Sequence, residues 1–137
     1  MRLVLDTNMV ASALLWDRAP RQLLVAARAQ RIELFTSMPL LAELTDILGR
    51  RKFEKKVAAS QLTPDQLIEG YAQLAALVRS TPVPRLAPDP DDDVVIGTAL
   101  AANAEFIVTG DRTLRSLIEY QHVKLVRVRE ALQILSS

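Results

Sequence analysis

Two apolar segments of the chain each end on an acidic residue, and these acids are the side chains best suited to chemistry. Leu3-Val4-Leu5 runs directly into Asp6, and the Phe106–Val108 segment is followed by Thr109-Gly110-Asp111. In parallel α/β sheets, ligands bind at the edge formed by the carboxyl ends of the strands. We therefore expect Asp6 and Asp111 to share that edge. The alternative is that each acid only caps a turn or a helix.

A third acid, Glu43, lies on a predicted helix over Leu40–Leu48. On a helical wheel it falls at the margin of the apolar stripe, whereas Asp46 falls on the opposite face. A carboxylate at the margin of a buried face costs free energy unless it is paired or holds a cation. The pattern indicates either a cation ligand or a salt bridge to one of the arginines.

The segment Asp89-Pro90-Asp91-Asp92-Asp93 places four acids in five residues, just before an apolar helix predicted over Asp91–Asn103. Acids favour the first turn of a helix through capping and the helix dipole. One acid satisfies that need, however, and several like charges held together repel one another or attract a cation. We therefore expect at least one of them to contribute to a cation site.

The composition restricts the kind of cation. The chain has no cysteine and a single histidine, His122, so a thiolate or histidine-rich metal site is excluded. Clustered carboxylates favour a hard ion such as Mg²⁺ or Mn²⁺. An ion of this kind can activate a water molecule and stabilise the charge that builds on a phosphodiester during hydrolysis. The acids therefore point to nuclease-like chemistry.

The charge of the whole chain is uninformative, since the formal net charge is only +1. One dense basic run lies between residues 50 and 56. This run is either a solvent-exposed surface or a set of phosphate contacts. The residues that we expect to contact the phosphates of a nucleic acid are Arg50, Arg51, Lys52, Lys55 and Arg112, with Lys56, Arg18 and Arg21 as further candidates. Trp16 is interpreted as a cap over the core. No apolar run is long enough for a membrane span, and no signal peptide is predicted, so we expect a cytoplasmic protein without a membrane partner.

Strands and helices alternate along the 137 residues, which predicts one α/β domain over residues 1–137 with a mostly parallel sheet covered on both faces. Further helices are predicted over 9–15, 21–30, 65–79, 113–119 and 130–135, and strands over 32–35 and 124–128. The proline-rich segment Ser80–Pro90 is predicted to cross between layers, with a short strand near Val83. The basic run at Arg50–Lys56 is predicted to be a helix or a loop.

The order of these motifs resembles the PIN-domain nucleases, in particular the VapC-like toxins of bacterial and archaeal toxin–antitoxin pairs. The resemblance spans the chain. It rests on Leu5-Asp6-Thr7-Asn8 followed by Ser12, on Glu43, on Asp91-Asp92-Asp93 before Ile96-Gly97-Thr98-Ala99-Leu100, and on Ile107-Val108-Thr109-Gly110-Asp111.

The resemblance implies a three-layer α/β/α sandwich, an endoribonuclease that depends on Mg²⁺ or Mn²⁺, and inhibition by a cognate antitoxin protein. The residues that match the family's metal-binding acids are Asp6, Glu43, Asp92 and Asp111. Asp93 is one position out of register, yet it could share the role of Asp92. The matching supporting residues are Thr7, Asn8 and Ser12 near Asp6, and Thr109 near Asp111. Thr113 stands where the family often has a further acid, which favours one metal ion over two.

Two other functions fit the same residues. The chain could be a catalytically silent PIN-like module that binds RNA or protein. It could also be a Mg²⁺-dependent phosphohydrolase of small substrates with Asp6 as a covalent nucleophile, although such enzymes usually carry a second aspartate where this chain has Asn8. A homodimer is expected, because symmetric dimers are the commonest assembly of small domains.

Overall fold

A computed structural model describes all residues from 1 to 137 and contains a six-stranded sheet in the order β3-β2-β1-β4-β6-β5. The strands are β1 (Arg2–Leu5), β2 (Glu33–Thr36), β3 (Ala76–Leu77), β4 (Phe106–Val108), β5 (Glu119–Tyr120) and β6 (Val123–Val126). All neighbouring strands are parallel except β5 and β6. The predicted, mostly parallel sheet is therefore confirmed.

Eight α-helices cover the sheet. They are α1 (Thr7–Leu15), α2 (Ala19–Arg28), α3 (Met38–Leu48), α4 (Glu54–Ala59), α5 (Pro64–Leu74), α6 (Pro90–Ala101), α7 (Arg112–Arg115) and α8 (Val128–Ser136). A 3-10 turn, Arg51–Phe53, precedes α4, so the basic run is part turn and part helix. No helix has the length and apolar character that crossing a membrane requires.

The two faces of the sheet bury separate apolar clusters, as the alternation of strand side chains requires. In β1, Leu3 and Leu5 join a cluster of 22 buried residues with α1, α2, α3 and α5. Val4, between them, joins a second cluster of 12 buried residues dominated by α6. This arrangement is the three-layer α/β/α architecture expected from the sequence.

Two predicted helices were too long. The helix predicted to reach Arg79 ends at Leu74, because Ala76–Leu77 pairs with β2 and the Val78 N–H donates to the Thr36 carbonyl (2.9 Å). The helix predicted over Thr113–Glu119 ends at Arg115, because Ile118 adopts a left-handed conformation (φ 67°) that turns the chain into β5. In both cases, strand pairing overrides a helical pattern.

The short strand predicted near Val83 was also wrong. No helix or strand forms between Leu77 and Pro90. Prolines at 82, 84 and 88 lack the N–H group that a sheet ladder needs. The segment instead runs along α6, where the Thr81 N–H donates to the Gly97 carbonyl (3.0 Å).

Candidate metal and nucleic-acid site

The first part of the site is formed by the adjacent carboxyl ends of β1 and β4. These strands pair in parallel with Leu5 opposite Val108, so the residues that follow them emerge side by side. Asp6 lies directly after β1 and is the N-cap residue of α1. Its Oδ1 accepts the Met9 N–H at 2.7 Å. The acid thus caps a helix, as the simpler interpretation held, and it also faces β4.

Thr109 joins the two strand ends. Its buried hydroxyl group donates to Asp6 Oδ2 and accepts the backbone N–H of Asp111 (3.0 Å). Asp111 then caps α7 through the Leu114 N–H, at 3.1 Å from its Oδ1. A single threonine therefore fixes the relative position of Asp6 and Asp111.

The second part of the site comes from α3 and α6. A buried hydrogen bond between Ser37 Oγ and Thr98 Oγ1 (2.8 Å) joins the start of α3 to the C-terminal half of α6. Glu43 on α3 is half-buried, and α6 carries Asp92 in its first turn. Asp89 caps α6 by accepting the Asp91 N–H (2.9 Å), which leaves Asp92 free of a capping role.

The acids influence one another electrostatically. Burial raises the pKa of Asp92 to about 7, and the negative charges of Asp111, Asp89, Asp6 and Glu43 add to the effect. Burial likewise raises the pKa of Asp6, reinforced by Asp111 and opposed by its hydrogen bonds to Thr109 and Met9. These mutual effects require that the carboxylates from four separate segments lie within Coulombic range.

Burial is also the main cause of the raised pKa of Glu43, with a further contribution from Asp91. The Thr7 hydroxyl group opposes this shift, although Thr7 Oγ1 is buried and makes no well-formed hydrogen bond. Thr7 therefore lies beside Glu43, and the hydrogen bonds that hold Asp6 come from Met9 and Thr109. Asn8 is exposed and makes no hydrogen bond to Asp6.

No cation of the protein neutralises these acids. The ion pairs of the structure are Arg50–Asp46, Arg85–Asp93 and Arg127–Glu130. Asp6, Glu43, Asp92 and Asp111 take part in none of them. The predicted alternative for Glu43, a salt bridge to arginine, does not form.

Asp93 occupies a different environment from its neighbour Asp92. Its Oδ1 accepts the backbone N–H groups of Leu86 (3.0 Å) and Ala87 (2.9 Å), and its Oδ2 lies 3.3 Å from Arg85 Nε. The side chain is buried. Asp93 therefore ties the proline-rich segment to α6, and the structure does not bring it into the group of acids at the edge of the sheet.

The open side of the site is a cleft of about 310 Å³ lined by Asp6, Asn8, Met9, Ser12, Gly110 and Asp111. Carboxylate oxygens are the donors that Mg²⁺ and Mn²⁺ prefer. No three acidic or histidine side chains form a ready-made metal cage in this structure. Proteins commonly hold Mg²⁺ with only one or two carboxylates and complete its shell with water. The donor set therefore fits a hydrated divalent ion.

Tyr71 is a neighbour of the site that sequence analysis missed. Its hydroxyl group is buried without a hydrogen-bond partner, and the negative charge of Asp6 contributes to the raised pKa of the phenol. In the sequence, Tyr71 belongs to the apolar stripe of α5, which gave no sign that its hydroxyl group lies near an acid. Only the packing of α5 against α3 and α2 reveals this relationship.

The fold is an α/β/α sandwich with unpaired acids at and beside the carboxyl edge of its sheet. The profile of the PIN domain family matches residues 2–113, so the chain belongs to the PIN domain family. PIN domains are generally nucleases that act on nucleic acids, typically with divalent metals. No curated protein matches the chain.

Proposed function

We propose that this protein is an endoribonuclease that hydrolyses RNA phosphodiester bonds with Mg²⁺ or Mn²⁺ held by Asp6, Glu43, Asp92 and Asp111. The observation that supports the proposal is that Asp6, Glu43 and Asp111 all add to the raised pKa of Asp92, while none of the four carboxylates has a positive partner. Such an arrangement is unfavourable unless the acids bind protons or a cation. Asp93 is left out of the proposed set, because two backbone N–H groups bind its Oδ1 and Arg85 Nε lies 3.3 Å from its Oδ2.

A divalent ion bound here would supply an activated water and stabilise negative charge on the phosphate. Hydrolysis forms a bond between a water oxygen and phosphorus, breaks one P–O ester bond and passes a proton of the water to the leaving oxygen. Asp6 and Asp111 would hold the ion, and Thr109 keeps their carboxylates in register. Glu43 and Asp92 approach from α3 and α6 and complete the negative field.

The direct test is cleavage of a labelled single-stranded RNA by the wild type and by Asp6→Asn, with Mn²⁺ or with EDTA. Asparagine is a good N-cap and can still accept the Met9 N–H, so the variant should fold. We expect a loss of cleavage of more than ~100-fold in Asp6→Asn, a size typical of removing a key electrostatic group. Asp46→Asn, on the exposed side of α3, is the matched control and should cleave normally. Undiminished cleavage in Asp6→Asn, or in EDTA, would contradict the proposal.

We further propose that the whole chain is one domain and that it is a cytoplasmic VapC-like toxin, active as a homodimer and inhibited by an antitoxin protein. The single domain is supported by β6, which lies beyond the matched region yet pairs with β4 of the site. The toxin role is supported by the order and spacing of the acidic motifs. Induction in a bacterial host should stop growth, whereas Asp6→Asn should not. Relief by a small protein encoded beside the gene would identify the antitoxin.

A further inference from the structure

A pair of aromatic side chains lies at the far end of α1 from Asp6. Trp16 immediately follows α1, and Phe53 ends the 3-10 turn before α4. Their rings meet edge to face, with centroids 5.8 Å apart and planes at 74°. Both rings pack against the larger apolar cluster and remain partly exposed. The expected capping role of Trp16 accounts for its buried side only.

Three cations lie over these two rings. Lys56 Nζ is 5.4 Å from the centre of the Trp16 ring system, and the guanidinium carbon of Arg18 is 6.0 Å from it. Lys52 Nζ is 5.1 Å from the centre of the Phe53 ring. These distances are those of cation–π contacts. The aromatic pair thus gathers three positive charges from two separate segments of the chain.

None of the three cations is paired with a carboxylate. The neighbouring acids in the sequence, Asp17 and Glu54, form no ion pair. Arg50, in the same basic run, differs because it pairs with Asp46 at 3.5 Å. A surface whose cations are held by aromatic rings and left without anions is suited to bind an external anion.

We infer that Trp16, Phe53, Arg18, Lys52 and Lys56 form a phosphate-binding subsite for single-stranded RNA, here called the aromatic–cation subsite. This inference rests on the proposed nuclease function. The nine residues of α1 span about 14 Å at 1.5 Å per residue, and they separate Asp6 from Trp16. The subsite would hold the RNA at a distance from the cleavage point and offset the repulsion between phosphates and the acids.

Because Trp16 is the only tryptophan of the chain, its fluorescence reports directly on this surface. The experiment titrates the full-length protein with a 16-nucleotide single-stranded RNA in EDTA, so that no cleavage occurs. Binding is followed by fluorescence anisotropy of the labelled RNA and, with unlabelled RNA, by Trp16 emission. Both titrations are repeated at several salt concentrations. We expect Trp16 emission to change and to saturate at the same RNA concentration as the anisotropy.

The variant Lys52→Gln/Lys56→Gln should weaken binding roughly 25-fold at 0.1 M salt and reduce the salt slope by about 1.4, the effect of losing two phosphate contacts on a single strand. The matched control is Arg31→Gln/Lys124→Gln, which removes two exposed charges near the amino ends of β2 and β6. Trp16→Leu should also weaken binding, because it releases Arg18 and Lys56 while keeping an apolar side chain.

The inference would be overturned if the lysine variant and its control bound RNA with equal affinity and equal salt slope. It would also be overturned if RNA bound without changing Trp16 emission, or if no RNA bound. In those cases the surface would serve a protein partner. The proposed function is tested separately by cleavage. Loss of cleavage with intact binding at Trp16 would refute the nuclease alone, and normal cleavage with no effect of the lysine variant would refute the subsite alone.

Discussion

Thr109 donates its hydroxyl hydrogen to Asp6 and at the same time accepts the backbone N–H of Asp111, so one side chain joins the ends of two parallel strands. Because β1 and β4 are far apart in the sequence, their acids can act together only if this junction is kept. The side chain is fully buried, which prevents water from replacing its hydroxyl group.

Replacing Thr109 by valine keeps the shape of the side chain and removes the hydroxyl group. The buried Asp6 Oδ2 and the Asp111 N–H then lose their partner, which should lower the free energy of unfolding by ~1–3 kcal/mol. The pKa of Asp6 should rise further, since the Thr109 bond lowers it. Urea denaturation and the pH profile of RNA cleavage measure the two effects. Thr45→Val, which removes an exposed hydroxyl bonded within α3, should change neither; a wild-type pH profile in Thr109→Val would contradict the assigned role.

Changing Asp92 or Asp93 to asparagine should have opposite effects on stability and on metal-dependent cleavage. Asp93→Asn weakens the buried contacts with Arg85, Leu86 and Ala87 and should destabilise the protein by ~1–3 kcal/mol while divalent ions still bind. Asp92→Asn relieves repulsion, so it should leave stability unchanged or raise it, and it should abolish cleavage. Thermal melts and cleavage assays of both variants test this. The reverse pattern would show that Asp93 is the metal ligand.

The raised pKa values predict how stability depends on pH in EDTA. Folding favours protonated Asp92, whose pKa rises from 3.8 to about 7, and Asp6 and Glu43 shift in the same direction. Their contribution is fully present below about pH 3.8 and is lost as the pH rises toward 7. The free energy of unfolding should therefore fall over this range, and less steeply in Asp92→Asn. Asp46→Asn should keep the wild-type slope. An Asp92→Asn slope equal to that of the wild type would contradict the raised pKa of Asp92 in the folded protein.

Gly97 illustrates how the backbone behind the site is fixed. A Cβ atom at this position would overlap the Thr81 carbonyl oxygen and Ser80 Oγ, so Gly97→Ala must displace the segment that runs along α6. We expect a loss of ~1–3 kcal/mol in stability, as in other overpacked cores. Gly70, in the middle of α5, meets no atom within 4 Å, so Gly70→Ala should stabilise the protein by ~0.5–1 kcal/mol. Urea denaturation compares the two, and equal effects would contradict this packing.

The sequence is sufficient to predict the parallel sheet and its acidic edge, because apolar strands that end in aspartate carry that information locally. Asp93 could not be distinguished from Asp92 in this way. One helical position separates them, and the partners of Asp93 come from a proline-rich segment whose path depends on tertiary packing. The surroundings of Trp16 were equally inaccessible, since the cations over its ring come from its own loop and from α4.

The central claim is that Asp6, Glu43, Asp92 and Asp111 jointly bind a divalent ion. The most direct measurement is a Mn²⁺ titration in which electron paramagnetic resonance counts the free ion, with wild type, Asp92→Asn and Asp93→Asn compared at neutral pH. We predict saturable Mn²⁺ binding by the wild type and Asp93→Asn, and a loss of that binding in Asp92→Asn. Equal binding by all three proteins, or none by the wild type, would contradict the claim.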